Sequence, residues 1–299
     1  MSSYPPAPRP GGAGDWDGDG GGPGYSGPPP SAPTCPRHPD RISYVRCQRC
    51  NRPACPECQR QAAVGVQCVD CVREASKQAR PTRTVLGGRA SGRPIITLTL
   101  IGINVAIFLL GFLTRTVDQL LVFAPALGAV EPYRAITTGF LHAGILHLLL
   151  NMYALWLIGP FLEQLLGRWR FLSLYFLSLF GGTVAVVLFT SPASDSWWGG
   201  VVGASGAVFG LFGAVFLVLR RLGRDAQQIL LVIGINVVFS FMVRGISWQA
   251  HIGGLIVGAL LALIFTRLPR ERQLVGGIAA VVIVGLALVA SYVGLYGIK

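Results

Sequence analysis

The chain contains four histidines, His38, His142, His147 and His251, and each stands where an imidazole could serve as a base or a ligand. Three of them lie in or beside long apolar stretches, and so does Ser205, within Gly203-Ala204-Ser205-Gly206. An ionisable side chain in such surroundings is costly to keep and marks a functional site by default. Serine becomes a nucleophile when a neighbouring base accepts its proton, and histidine is the usual base. The fourth histidine, His38, stands among seven cysteines, all between positions 35 and 71. Thiolates and imidazole nitrogens are the ligands of zinc. Two chemistries are therefore written in the chain: nucleophilic catalysis within an apolar region, and metal binding outside it.

The elements that must position these residues follow from composition. Of 299 residues, 52% are hydrophobic and only 13% charged, which excludes an ordinary soluble domain and fits a polytopic helical membrane protein. Seven apolar segments are expected to span, at 95–113, 146–162, 169–190, 203–219, 227–243, 249–266 and 273–296. Several are shorter than the roughly 20 residues of a plain span. Residues 1–33 are rich in Pro, Gly and Ser, carry no apolar stretch of signal-peptide type and are expected to be disordered. A cysteine-rich module occupies 35–72, and a basic linker with Lys77, Arg80, Arg83, Arg89 and Arg93 occupies 73–93. The apolar core is expected at 94–268, with an additional helix at 272–297.

Charge sets the expected orientation. With the N-terminus inside, the inner loops hold Arg168 and Arg170, then Arg220, Arg221 and Arg224, then Arg267, Arg270 and Arg272. The outer loops hold fewer, namely Arg115, Arg134 and Arg244. Trp197, Trp198 and Trp248 fall at the outer interface and Trp169 at the inner one. The net charge of +12 therefore reads as topogenic rather than as a nucleic-acid footprint, and the linker suits anionic lipid. Arginine outnumbers lysine 23 to 2, which points to a GC-rich bacterial genome.

In this topology the second, fourth and sixth segments run inward from the outer face. His142, His147 and Asn151 stand at the start of the second, Ser205 at the start of the fourth and His251 at the start of the sixth, so three polar clusters share one depth. The fourth segment carries Gly206, Gly210 and Ala214 at spacing four, and the sixth carries Ala250, Gly254, Gly258 and Ala262. Such stripes let membrane helices approach backbone to backbone. They act as helix glue, and the glue would bring Ser205 and His251 within reach of each other. None of the 13 acidic residues lies well inside an apolar segment, so a dyad rather than a triad is expected. Ser205 would be the nucleophile and His251 the base, with the Phe209 ring stacked on the imidazole. His147 and Asn151, four apart on one helix face, and the Ser205 N–H are candidate oxyanion donors.

His142-x4-His147-x3-Asn151, Gly203-Ala204-Ser205-Gly206 and Ala250-His251-x2-Gly254-x3-Gly258 resemble the three signature motifs of the rhomboid family of intramembrane serine proteases, in that family's order. The resemblance covers roughly residues 95–267. It implies a six-helix core plus a seventh helix, and cleavage of single-pass membrane proteins within or near their transmembrane helix. It implies a Ser205–His251 dyad that needs no cofactor, an oxyanion site lined by His147 and Asn151, and a structural role for His142. Tyr133-Arg134 replaces the Trp-Arg frequent in the family, and Phe209 a tyrosine found in some members. A relative that binds membrane clients without cutting them is the competing class, although silent relatives typically lack the serine or the histidine, and both are present here. A transporter or channel would want mid-membrane charges or inverted repeats.

Outside the membrane, the pattern Cys35-x2-His38-x8-Cys47-x2-Cys50-x4-Cys55-x2-Cys58-x9-Cys68-x2-Cys71 supplies eight ligands, enough for two tetrahedral zinc ions with none left over. It resembles B-box-type zinc fingers. Alternating pairing would place Cys35, His38, Cys55 and Cys58 on one ion and Cys47, Cys50, Cys68 and Cys71 on the other, with sequential pairing as the alternative. Closed four-ligand sites are structural, so the module is expected to be a cytoplasmic scaffold, able to bind a protein partner or regulate.

Overall fold

The computed structural model describes residues 32–78, 84–88, 92–114, 116–243 and 245–298. The expectation of disorder for the tail up to residue 31, and the placements of Arg80, Arg83, Arg89, Arg115 and Arg244, lie outside the described residues. The chain divides into two compact units, meeting between Arg80 and Pro81.

The first unit is built from short pieces. Strand β1 (Thr34–Cys35) pairs antiparallel with β2 (His38–Ile42), and β3 (Gln59–Gln61) pairs antiparallel with β4 (Val66–Cys68). Helix α1 (Val69–Gln78) follows directly. Its buried centre is six cysteines and Ala54, with hardly an aliphatic side chain among them. Burial of so little apolar surface cannot by itself hold a fold of this size.

The second unit is helical throughout. Helix α2 (Ile95–Leu113) leads into a loop of three short helices, α3 (Thr116–Leu121), α4 (Pro125–Gly128) and α5 (Arg134–Thr137), which precedes α6. Then come α6 (Ile145–Leu166), α7 (Arg168–Phe189), α8 (Ser205–Arg221), α9 (Gln227–Met242), α10 (Trp248–Arg267) and α11 (Gln273–Ile298). Among the described residues five helical stretches are long and apolar enough to cross a membrane, those of α2, α6, α7, α10 and α11. The helices α8 and α9 are shorter, at 17 and 16 residues. At 1.5 Å per residue α8 spans about 26 Å, less than the roughly 30 Å hydrocarbon core. It is also the central helix, buried without a break from Gly206 to Val215. A helix apolar on all sides belongs inside a bundle.

The small-residue stripes meet as their spacing requires. A Cβ on Gly254 would collide with the carbonyl oxygen of Gly206, and one on Gly258 with that of Gly210. On the other side of α10, Gly253 faces the backbone of Gly181 in α7 just as closely. The three helices α7, α8 and α10 form one tightly apposed core, with polar residues confined to its ends and seams.

Two ends of this bundle are tied in ways that periodicity did not announce. At one end, the carboxylate of Glu163 in α6 is only 3% exposed and caps α2: it accepts the N–H groups of Ile96 at 3.1 Å and Thr97 at 2.9 Å, and the Thr97 hydroxyl at 2.9 Å. Beside it, residues 84–88 do not behave as a plain linker. Thr84 Oγ1 donates to the Leu165 carbonyl at 2.6 Å, Gln273 Nε2 donates to Val85 O at 3.0 Å, and Leu86 is buried. Arg170, expected only as a topogenic charge, is buried and donates to the carbonyls of Leu86 and Gln273. At the other end, Arg134 donates to the carbonyls of Gln119 at 2.6 Å and Val122 at 3.0 Å and pairs with Glu131, which holds the loop between α2 and α6. Helix α11 reaches the same loop: the Tyr292 hydroxyl donates to Gly128 O at 3.0 Å and the Tyr296 hydroxyl to Pro125 O at 2.7 Å.

Candidate active site

Ser205 opens α8, and the turn that delivers it is fixed from outside. Gly203 has φ +126°, in the region that favours glycine. Its N–H donates to Thr138 O at 3.1 Å, and the Thr138 hydroxyl donates to Val201 O. A backbone bridge from Val201 N–H to Phe123 O, 2.7 Å long, ties the same segment to the loop between α2 and α6. Gly203 must also lack a side chain, because a Cβ there would stand 2.8 Å from the His147 ring and 3.6 Å from Ser205 Oγ. That contact places His147, Gly203 and Ser205 side by side.

His251 comes from the first turn of α10, whose start is capped by Ser247 accepting the Ala250 N–H at 3.4 Å. Its Nε2 lies 2.8 Å from Ser205 Oγ. The Phe209 ring, one turn into α8, stacks on the imidazole with centroids 4.1 Å apart and planes 12° from parallel. The imidazole is 8% exposed. Its other nitrogen, Nδ1, lies 2.6 Å from the hydroxyl of Ser240 in α9. Sequence reasoning missed Ser240. The signal that existed was weak, since Asn236 and Ser240 form a polar pair at spacing four on an otherwise apolar helix.

Of the remaining candidates, His147 and Asn151 stand on the first two turns of α6 and His142 lies in the loop just before it. His147 Nδ1 accepts the Ala143 N–H at 3.4 Å, which leaves the hydrogen on Nε2, the nitrogen turned toward Gly203. Asn151 is 6% exposed and spends one amide hydrogen on His147 O at 2.9 Å, leaving the other free to donate. His142 packs edge-on against His147 with centroids 5.1 Å apart. Ser205, His251, Phe209, Gly203, His147, Asn151 and His142 are thus brought to one end of the bundle.

The eight metal-ligand candidates form two groups within the first unit. Cys35, His38, Cys55 and Cys58 make one, and Cys47, Cys50, Cys68 and Cys71 the other, the ligand atoms of each lying within 4.8 Å of one another. This is the alternating arrangement. The β1–β2 turn presents Cys35 and His38, whose Nδ1 lies 3.3 Å from Cys55 Sγ and 3.4 Å from Cys58 Sγ. The chain reverses after Cys47 and Cys50 through Asn51, at φ 57°, while Cys68 ends β4 and Cys71 lies in the first turn of α1. A backbone N–H from Cys55 is the main influence that holds the Cys35 thiol down at about 6. Burial, followed by the adjacent Cys35 and Cys55 sulfurs, pushes Cys58 up to about 11, and the Cys50 sulfur above all pushes Cys71 up to about 12. Each group offers four N/S donor atoms close enough together to fit one tetrahedral ion.

Residues 129–268 match the family model of the rhomboid domain. The rhomboid protease GluP of Bacillus subtilis (strain 168) is 32% identical over 240 residues, covering 74% of this chain and 44% of GluP. The protein named "Putative rhomboid protease YdcA" from the same organism is 38% identical over 148 residues, 48% of this chain and 71% of that protein. Rhomboid-like protease 3 of Toxoplasma gondii is 31% identical over 153 residues, 48% of this chain and 56% of that protein. The chain therefore spans less than half of GluP but most of YdcA. On this likeness, and with the matched region containing every residue of the serine–histidine site except the loop contacts that precede it, the chain belongs to the rhomboid family.

Proposed function

We propose that the protein is an intramembrane serine endopeptidase that cleaves single-pass membrane proteins within or near their transmembrane helix. The observation that carries this reading is the 2.8 Å approach of Ser205 Oγ to His251 Nε2 at the end of two helices packed through glycine. Ser205 Oγ attacks the scissile carbonyl carbon as His251 Nε2 takes its proton. The carbonyl oxygen becomes an oxyanion, which the Nε2–H of His147, the spare Nδ2–H of Asn151 and the Ser205 backbone N–H are suited to receive. Collapse breaks the C–N bond, and His251 returns the proton to the departing amine nitrogen. Water, activated by the same imidazole, then attacks the acyl ester and releases Ser205. Because α8 is too short for a full span, the serine sits below the outer surface, where a cavity open to that side must admit water.

The arginine distribution supports a multi-pass protein of the cell membrane with the N-terminal unit in the cytoplasm and the active site opening outward. The N-terminal unit is read as a B-box-like scaffold holding two structural zinc ions, one on each four-ligand group, with no part in peptide hydrolysis. Zinc supplies there the folding energy that a core of cysteines cannot. A protein partner is the natural ligand of such a scaffold.

The test is cleavage of a tagged single-span substrate by purified protein in proteoliposomes. Wild type should cut, while Ser205→Ala and His251→Ala should fold and be inert. Equal behaviour of all three across several substrates would refute the assignment and favour a client-binding protein.

A further inference from the structure

We propose that Ser240 is a positioning residue for His251, holding the base in the one tautomer that can activate Ser205. The proposal rests on the reading of Ser205 and His251 as nucleophile and base. An imidazole without a fixed partner at Nδ1 can carry its proton on either nitrogen, and only the Nδ1–H form leaves Nε2 free to accept from a serine. In most sites of this chemistry a carboxylate makes that choice. Among the described residues no acidic side chain reaches His251, and its polar side-chain partners there are Ser205 and Ser240.

The Ser240 hydroxyl is committed in a way that makes the choice. Its oxygen lies 2.6 Å from the Asn236 carbonyl, one helical turn back, and that carbonyl can only accept. The single hydroxyl hydrogen is therefore spent on Asn236, and toward His251 Nδ1, also at 2.6 Å, Ser240 Oγ presents lone pairs. Nδ1 must be the donor, and Nε2 faces Ser205 Oγ as an acceptor. The same oxygen then stabilises the imidazolium that forms when Ser205 gives up its proton. With the Phe209 ring against one face of the imidazole, three different contacts fix its plane, its rotation and its protonation.

The location of Ser240 adds a consequence. It is one of only two buried residues on α9, the other being Ile233, and is itself 3% exposed. On a helix that otherwise turns its side chains outward or to its flanks, the buried hydroxyl has no apolar reason to be there. The base is thus assembled from three helices, and its readiness depends on α9 being seated against α8 and α10.

The experiment compares Ser240→Thr, Ser240→Val and Ser240→Ala with wild type and Ser205→Ala in proteoliposomes. It reads kcat and KM for a single-span substrate, and the rate at which a small fluorophosphonate labels Ser205, which needs no docked helix. Thr and Val have the same shape and differ by the hydroxyl. The expected result is a fall in kcat and labelling rate of about 10- to 100-fold in Val and Ala, the scale of one hydrogen bond to a charged group. KM should stay near wild type, and Thr should restore most of both rates. Wild-type rates in Val and Ala, or a Thr variant as slow as Val, would overturn the proposal while leaving the dyad intact. Cleavage by Ser205→Ala at the wild-type rate would instead remove the nucleophile, and the positioning role with it.

Discussion

Around Ser205 the smallest residue present imposes the most. Gly203 stands between the nucleophile and His147, and its left-handed backbone and lack of Cβ are both required. Gly203→Ala should push the His147 ring away from the oxyanion position. The loss of one such donor costs kcat about 100- to 1000-fold. The thermal transition should fall as well, because alanine at φ +126° is strained, but the fold should survive because the turn remains pinned by Thr138 and Phe123. Activity within a few-fold of wild type would show that His147 does not serve there. The candidate residues of this site were legible in the sequence because a histidine or an asparagine in an apolar segment is conspicuous. Ser240 was not. A serine on a membrane helix commonly back-bonds to the carbonyl four residues earlier, as Ser240 does to Asn236, and nothing in its spacing discloses a second partner across the helix seam.

The helices themselves were easier to anticipate than their ties. Apolar length marked all seven, from α2 at Ile95–Leu113 to α11, and the glycine period marked which two would press closest. That period argues for a prediction at this scale. Gly254→Val would set a side chain against the Gly206 backbone, so α8 and α10 must part; the thermal transition in detergent should drop sharply and Ser205 labelling should vanish with it. Gly102→Ala in α2, with open space at its Cβ, is the control and should unfold as wild type. A Gly254→Val protein as stable as Gly102→Ala would mean that the stripe is not what holds the seam. The contacts of Tyr292, Tyr296, Glu163 and residues 84–88 could not be read beforehand. Each joins positions far apart in the chain through a single polar group, and no periodicity records such a pairing.

At the scale of the molecule, two units follow two ways of meeting the cost of order. The larger buries apolar helices against one another; the smaller has almost no apolar core and depends on its thiols. Metal analysis of the purified full chain should find two zinc ions. Cys55→Ser should reduce that toward one, and Cys55→Ser with Cys68→Ser toward none, with unfolding confined to the N-terminal unit while Ser205 still reacts. Zinc retained by the double variant would mean that the ligand groups are wrongly drawn. The proposed hydrolysis, by contrast, uses residues of the larger unit alone, and one measurement decides it. The full-length protein in proteoliposomes would be treated with a fluorophosphonate and its peptides mapped by mass spectrometry. The account predicts a single covalent adduct on Ser205 that blocks cleavage of a single-span substrate and fails to form in His251→Ala. Cleavage that continues with Ser205 fully modified, or an adduct that forms equally well without His251, would contradict it.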